Sequence, residues 1–261
     1  MISMTNNMGV QSASTVAALI FAKVNTSLKQ LASGLRIASA QDDAAGLAVR
    51  ELMRADIATA RQGSANVREG ISMLQTADGA ASAINDNLIR MKQLATQAAN
   101  GTYSTQQKSI MQQEFTGLAD EINRITQTTS FNGVNMFSEG QTIQIALGDG
   151  DTINIDTQAI GVGSIDIITD PAAAEEGVNS AISRVSSYRG EIGSKASRLE
   201  SAAAVLDVKS ENLLAAESRI SDVDVARTVT TLAANKVLAS AAVAVQSQAN
   251  AMAQMVQMLL T

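Results

Sequence analysis

Two acidic clusters are the places where this chain could do chemistry. Asp42 and Asp43 stand beside Arg36, and Asp149, Asp151, Asn154 and Asp156 crowd a second stretch. Paired carboxylates near an arginine suit general acid–base work, and closely spaced oxygens suit calcium. Neither pattern is complete. The chain has no His and no Cys, which removes the usual general base, the thiolate nucleophile and most transition-metal ligand sets. The second cluster misses the spacing of a calcium-binding loop. The expectation is therefore structural: a helix cap plus a salt bridge to Arg36 at the first cluster, and turn chemistry at the second. No enzymatic activity, cofactor or metal is expected.

The elements that carry these clusters are helices. Hydrophobic residues make up 46% of the chain, but aromatics only 2%, with one Pro and no Trp. Ala, Val, Ile, Leu and Met suit long helices packed along their length. Val10, Ala13, Ala17, Ile20, Val24, Leu28, Leu31 and Leu35 step by threes and fours, a coiled-coil stripe. Gly34 and Gly46 flank a break. A second stripe runs through Met53, Ile57, Ala60, Ser64, Val67, Ile71 and Leu74, slips by one short step, and continues through Ala77, Ala81, Ile84, Leu88, Met91, Ala95 and Ala98. The slip is a phase shift within one helix, from about Ala44 to about Ala99, which would reach ~80 Å at ~1.5 Å per residue. Asn100-Gly101 stops it, and Ser104 or Thr105 caps a helix carrying Ile110, Phe115, Leu118, Ile122 and Ile125.

The period then changes to two. Ile143, Ile145 and Leu147, a Gly148-Asp149-Gly150 turn, and Ile153 and Ile155 predict a β-hairpin. A helical seam returns from Val178 through Ile182, Val185, Ile192, Ala196, Leu199, Ala203, Leu206, Leu213 and Ile220. After a second break at 218–224, the last helix carries Ala234, Leu238, Ala241, Val245, Met252, Met255 and Leu259. The fold class is mainly α: a long antiparallel coiled-coil-like rod, with the terminal helices paired at one end and a small hairpin mid-chain.

The ends explain what such a fold is for. No charged side chain precedes Lys23, and none follows Lys236. A pair of uncharged helices still exposes apolar surface when packed together, and such surface marks association. Self-association into a ring or filament follows. A net charge of −6 argues against nucleic acid. The first residues lack the basic region of a signal peptide. Gln246, Gln248, Asn250, Gln254 and Gln257 argue against a membrane span at the C-terminal end. The methionines there are adaptable packing residues.

Several stretches resemble the bacterial flagellins. They are Ser33-Gly34-Leu35-Arg36-Ile37, Asp42-Asp43-Ala44-Ala45-Gly46-Leu47, Gln75-Thr76-Ala77-Asp78-Gly79, Phe131-Asn132-Gly133, Glu211-Asn212-Leu213, Ser218-Arg219-Ile220, Asp222, Asp224-Val225-Ala226 and Gln248-Ala249-Asn250. Gln30, Ala32, Ala253 and Thr261 depart from the commonest residues of that family. The resemblance implies a structural subunit that self-assembles into the filament of the bacterial flagellum, with a hook–filament junction (hook-associated) protein as the alternative. It implies inner-core helices at 1–35 and 225–261, spokes at 36–46 and 218–224, and an outer-core rod at 47–217 that includes the hairpin region at about 130–170.

Ser33, Gly34, Arg36, Ile37, Asp42, Asp43, Gly46, Asn212, Arg219, Asp222, Asp224 and Asn250 are then spoke and assembly residues. The implied partners are further copies of this chain, the flagellar export apparatus and its chaperone, and the cap and hook-associated proteins. The implied location is extracellular, reached without a cleaved signal peptide. Arg90, Leu94 and Glu114 match positions that contact Toll-like receptor 5 in receptor-stimulating flagellins. Asn25-Thr26-Ser27 and Asn100-Gly101-Thr102 fit a glycosylation pattern at chance level.

Overall fold

The computed structural model of the chain describes residues 8–163 and 166–259. Five helices dominate it: α1 (Met8–Ser33), α2 (Ala44–Ala99), α3 (Thr105–Thr128), α4 (Pro171–Ser221) and α5 (Val225–Leu259). Between α3 and α4 lie two antiparallel pairs, β1 (Ser130–Phe131) with β2 (Val134–Asn135), and β3 (Thr142–Gly148) with β4 (Asp151–Asp156). The mainly helical fold, the unbroken helix from Ala44 to Ala99 and the hairpin around Gly148-Asp149-Gly150 agree with the sequence reading. The chain divides into two compact units, Met1–Asp56 with Asn212–Thr261, and Ile57–Glu211.

The core of the second unit is a seam between α2 and α4. On α2, Ala60, Ser64, Val67, Leu74, Ala77, Ala81, Ile84, Leu88, Met91, Ala95 and Ala98 are all buried, so the stripe crosses the short step at Leu74–Ala77 without losing the interface. On α4, Val178, Val185, Ile192, Leu199 and Leu206 face the same core. Each fully buried Leu or Ile side chain stabilises by roughly 1.5–3 kcal/mol. α4 begins at Pro171, well ahead of Val178. A proline's fixed φ suits the first helical position, and the Asp170 carboxylate accepts the Ala173 N–H at 2.9 Å.

Helix α3 starts on a capping box. Gln107 N–H donates to Ser104 Oγ at 3.4 Å, and Ser104 N–H donates to Gln107 Oε1 at 2.9 Å. Phe115 and Ile122 are buried in the shared core. Ile110, expected on the same face, is 61% exposed. Its five-residue step to Phe115 carries it well round the helix, and Met111 packs at that level instead.

Small residues let the β3–β4 hairpin sit against the helices. A Cβ on Gly63 would lie 2.0 Å from the Leu147 carbonyl oxygen, and one on Gly70 would lie 3.1 Å from Ile145. Asn66 Nδ2 donates to the Ala146 carbonyl at 3.0 Å, Lys195 Nζ to the Asn154 carbonyl at 2.6 Å, and Lys209 Nζ to Asp149 Oδ2 at 2.7 Å. Asp149, with φ 53°, is therefore a turn residue tied to α4, in line with the turn chemistry expected of its cluster. The β1–β2 pair lies ahead of the expected hairpin, where no strand was expected. Its signal was Asn132-Gly133, at φ 49° and 81°, the positive-φ pair that a two-residue hairpin requires.

Beneath this region Tyr188 is buried, stacks edge-on to Phe137 at 5.8 Å, and donates its hydroxyl to the Met136 carbonyl at 2.8 Å. Burial, with a smaller contribution from the Glu191 carboxylate, pushes its phenol up to about 12.

Two glycines test this packing in opposite directions. Gly63→Leu should destabilise the chain by at least about 1–3 kcal/mol in urea unfolding, because the hairpin must shift. Gly79 has open space around it within α2, so Gly79→Ala should stabilise by about 0.5–1 kcal/mol. Tyr188→Phe should cost about 1–3 kcal/mol by leaving the Met136 carbonyl without its donor.

Candidate functional site: the joint and the terminal helix pair

The first unit contains the joint and the α1–α5 pair. Helix α1 ends on Gly34, whose φ of +72° is the left-handed cap that glycine adopts without penalty, and whose N–H returns to the Gln30 carbonyl at 2.9 Å. Ser33 Oγ accepts the Leu35 N–H at 3.2 Å. The backbone of 34–36 then meets the second break edge to edge. The Gly34 carbonyl accepts Val223 N–H at 3.0 Å, Arg36 N–H donates to the Ser221 carbonyl at 2.6 Å, and Leu35 pairs antiparallel with Asp222.

Arg36 does not form the expected salt bridge to Asp42 or Asp43. Its Nη2 donates to the Ile220 carbonyl at 2.7 Å. The last carbonyls of α4 carry the negative end of the helix dipole, so a guanidinium there satisfies both charge and hydrogen bonding. Gln30 Nε2 in turn donates to the Arg36 carbonyl at 2.9 Å.

The two aspartates have separate tasks. Asp42 Oδ2 collects the Ser39 N–H at 2.9 Å, the Ser39 hydroxyl at 3.0 Å and the Ala38 N–H at 3.2 Å. Those bonds, the Ser39 hydroxyl first, hold its carboxyl below the usual aspartate value. Asp43 caps α2, accepting Gly46 N–H at 2.9 Å. A Cβ on Gly46 would meet Asp43 Oδ2 at 2.5 Å and Ile37 Cδ1 at 2.6 Å, so glycine is required for the cap and Ile37 to coexist. Ile37 is 2% exposed, and its carbonyl accepts Arg50 Nη1 at 2.9 Å.

On the return path Ser218 Oγ donates to Asp222, and Asp224 caps α5 by accepting Arg227 N–H at 3.0 Å. Arg219 lies in the last turn of α4, Asn212 is exposed on α4, and Asn250 is exposed on α5 beside Gln246 and Gln254. Sequence reasoning missed Gln30, Arg50 and the fully buried Ser221. Their contributions run largely through backbone carbonyls, which leave no pattern in residue types.

Helix α1 runs into the joint and α5 runs out of it, and the two pack along each other. The α1 stripe is Val10, Ala13, Ala17, Ile20, Val24, Ser27 and Leu31, as expected except that Ser27 is buried and Leu28 is 44% exposed. On α5 the expected stripe is the wrong one for this contact. Thr228, Leu232, Asn235, Ala239, Ala242, Gln246 and Ala249 face α1, whereas Leu238, Val245, Met252 and Met255 are 52–59% exposed. The Leu259 side chain, the Ala253 side chain and Thr261 lie outside the described residues. By length and composition Val225–Met252, with mean hydropathy 1.4, could cross a bilayer. The exposed stripe accounts for that apolarity.

The receptor-matched residues lie in the other unit. Arg90 Nε and Nη2 both reach Glu114 Oε1 at 2.7 Å on the surface, while Leu94 is 2% exposed in the core.

The joint makes two predictions. Gly46→Ala should cost about 1–2 kcal/mol by displacing the Asp43 cap or Ile37. Asp42 has a folded pKa below its unfolded value, so its stabilisation is complete above about pH 4 and is lost as pH falls lower. Asp42→Asn should therefore remove part of the acid-side fall in thermal stability, measured as Tm against pH.

Comparison with known proteins fits this arrangement. The family model for the bacterial flagellin N-terminal helical region matches residues 4–142, and that for the C-terminal helical region matches residues 176–260. A flagellin of Halalkalibacterium halodurans is 38% identical, over 89% of this chain and 90% of that protein. A flagellar filament 33 kDa core protein of Treponema phagedenis is 34% identical, over 91% and 92%. The crystal structure of Bacillus cereus flagellin superimposes with a TM-score of 0.50 at 30% identity, covering 54% of this chain and 87% of that one. The chain belongs to the bacterial flagellin family and is a structural subunit of the flagellar filament, not an enzyme.

Proposed function

We propose that residues 1–35 and 225–261 form the inner layer of the filament, that 36–46 and 218–224 are the spokes, and that 47–217 form the outer layer. The observation that carries this reading is the apolar stripe on α5. Leu238, Val245, Met252 and Met255 are more than half exposed, as are Val16 and Leu19 on α1. Burial of such side chains stabilises by about 25 cal/mol per Å², so the stripe is a strong drive to association. Neighbouring copies of the same chain are its occupants. The spoke residues set how the helices enter and leave that layer: Gly34 and Arg36 through the strand-like exchange, Asp42, Asp43 and Gly46 through the start of α2, and Asp222 and Asp224 through the start of α5. Asn212, Arg219 and Asn250 supply polar contacts between copies.

The subunit works outside the cell as part of the filament. Family membership supports export through the flagellum's own apparatus with its chaperone, without a cleaved signal peptide, and contact with the cap and hook-associated proteins. Filaments whose subunits lacked the first residues of this sequence would overturn uncleaved export. A hook–filament junction role is less favoured, because the relatives matched over nearly their whole length are named as flagellins and filament core proteins. For Toll-like receptor 5, the Arg90–Glu114 pair offers the polar surface, with Leu94 supporting it from beneath.

Deleting 1–35 and 225–261 should leave a folded, soluble fragment that forms no filaments under the electron microscope. Normal polymerisation of that fragment would sink the inner-layer assignment. Arg90→Ala monomers should bind the receptor more weakly than the parent, and equal binding would remove Arg90 from the contact.

A further inference from the structure

Asn100-Gly101-Thr102 ends α2, and filament assembly gives this tripeptide no role. Its geometry suits a specific reaction. All three residues are exposed, and nothing lies within 4 Å of where a Cβ on Gly101 would sit. The Asn100 side-chain oxygen accepts two hydrogen bonds from Thr102, from its N–H at 3.0 Å and from its hydroxyl at 3.0 Å. Two donors on one carbonyl oxygen polarise its carbon toward a nucleophile and are at hand as charge develops on that oxygen. The next nitrogen along the chain, the Gly101 amide, is unhindered by a side chain.

We propose that Asn100 is a self-modifying site, where the Gly101 amide nitrogen attacks the Asn100 side-chain carbonyl carbon and deamidates it. The Gly101 nitrogen loses its proton to solvent base as the N–Cγ bond forms, and the Thr102 donors hold the resulting oxyanion. The Cγ–Nδ2 bond then breaks, the nitrogen takes a proton from water, and ammonia leaves a five-membered succinimide. Water adds to either ring carbonyl, giving aspartate or isoaspartate. No electrons are transferred and water is the only co-reactant.

The chain contains its own comparison. Asn132-Gly133 has the same residue pair, but it is held at φ 49° and 81° between the paired residues Phe131 and Val134. Ring closure there must break a hairpin turn, whereas Asn100 sits in an open connection. The product also matters at Asn100. A carboxylate appears at the negative end of the α2 dipole, where it is unfavourable, and the isoaspartate form lengthens the link to the α3 capping box by one backbone carbon. Each subunit would thus carry an irreversible mark of its age.

The test uses the folded full-length chain, held in mildly alkaline buffer and sampled by mass spectrometry of the tryptic peptide 93–108, in which Asn100 is the one asparagine. Native Asn100 should convert faster than native Asn132. Thr102→Val, removing one donor, should slow Asn100 by about threefold to tenfold, while Thr102→Ser keeps the parent rate. In a free synthetic peptide 93–108 the same substitution should have little effect, which separates the folded geometry from the sequence. Conversion at Asn100 no faster than at Asn132, or an unchanged rate in a Thr102→Val chain of native circular dichroism, would overturn the proposal.

Discussion

The terminal half of this molecule depends on one short exchange of backbone hydrogen bonds. Gly34 and Arg36 pair with Val223 and Ser221 across the Leu35–Asp222 bridge. Both helix breaks leave backbone groups that need partners, and each break supplies the other's. The exchange brings the end of α1 to the start of α5, so the two terminal helices must run antiparallel from a common origin. The side chains around it reinforce the same outcome. Arg36 closes the carbonyl end of α4, Asp43 opens α2 and Asp224 opens α5. An acidic pair that could have suggested catalysis holds local backbone instead, Asp42 at Ala38 and Ser39 and Asp43 at Gly46.

From that origin, the terminal helices put unequal surfaces to use. The face of α5 against α1 is pale: Thr228, Asn235, Gln246 and several alanines, with Leu232 the largest apolar residue. The richer face carries valine, leucine and methionine and stays exposed among the described residues. A monomer folded for its own stability would bury the richer face first. A subunit that completes its core by assembly keeps it available, and small seam residues let α1 approach closely enough to hold the pair together meanwhile.

The unit 57–211 is built differently. Its α2–α4 seam is strongly apolar and complete, with Tyr188 and Phe137 adding a satisfied polar anchor and an aromatic contact. Glycines at 63 and 70 are not flexible joints but absences of side chain, shaped to receive the hairpin. The one Pro and the aspartate before it start α4 where side-chain periodicity alone gave a later beginning.

The sequence by itself determined the helices, the phase slip at Leu74–Ala77, the hairpin around Asp149, the lack of His and Cys and, through its ordered motifs, the family. These are local or periodic properties, and they survive without knowledge of what touches what. Only the tertiary structure decided that Arg36 serves the Ile220 carbonyl and not an aspartate, that Leu94 is core while Arg90 pairs with Glu114, and that α5 turns its small-residue stripe inward. Periodicity identifies a greasy face but cannot say whether its partner lies in the same chain or in the next copy. That choice rests on backbone geometry at the joint, where the decisive groups are carbonyls and amides common to every residue type.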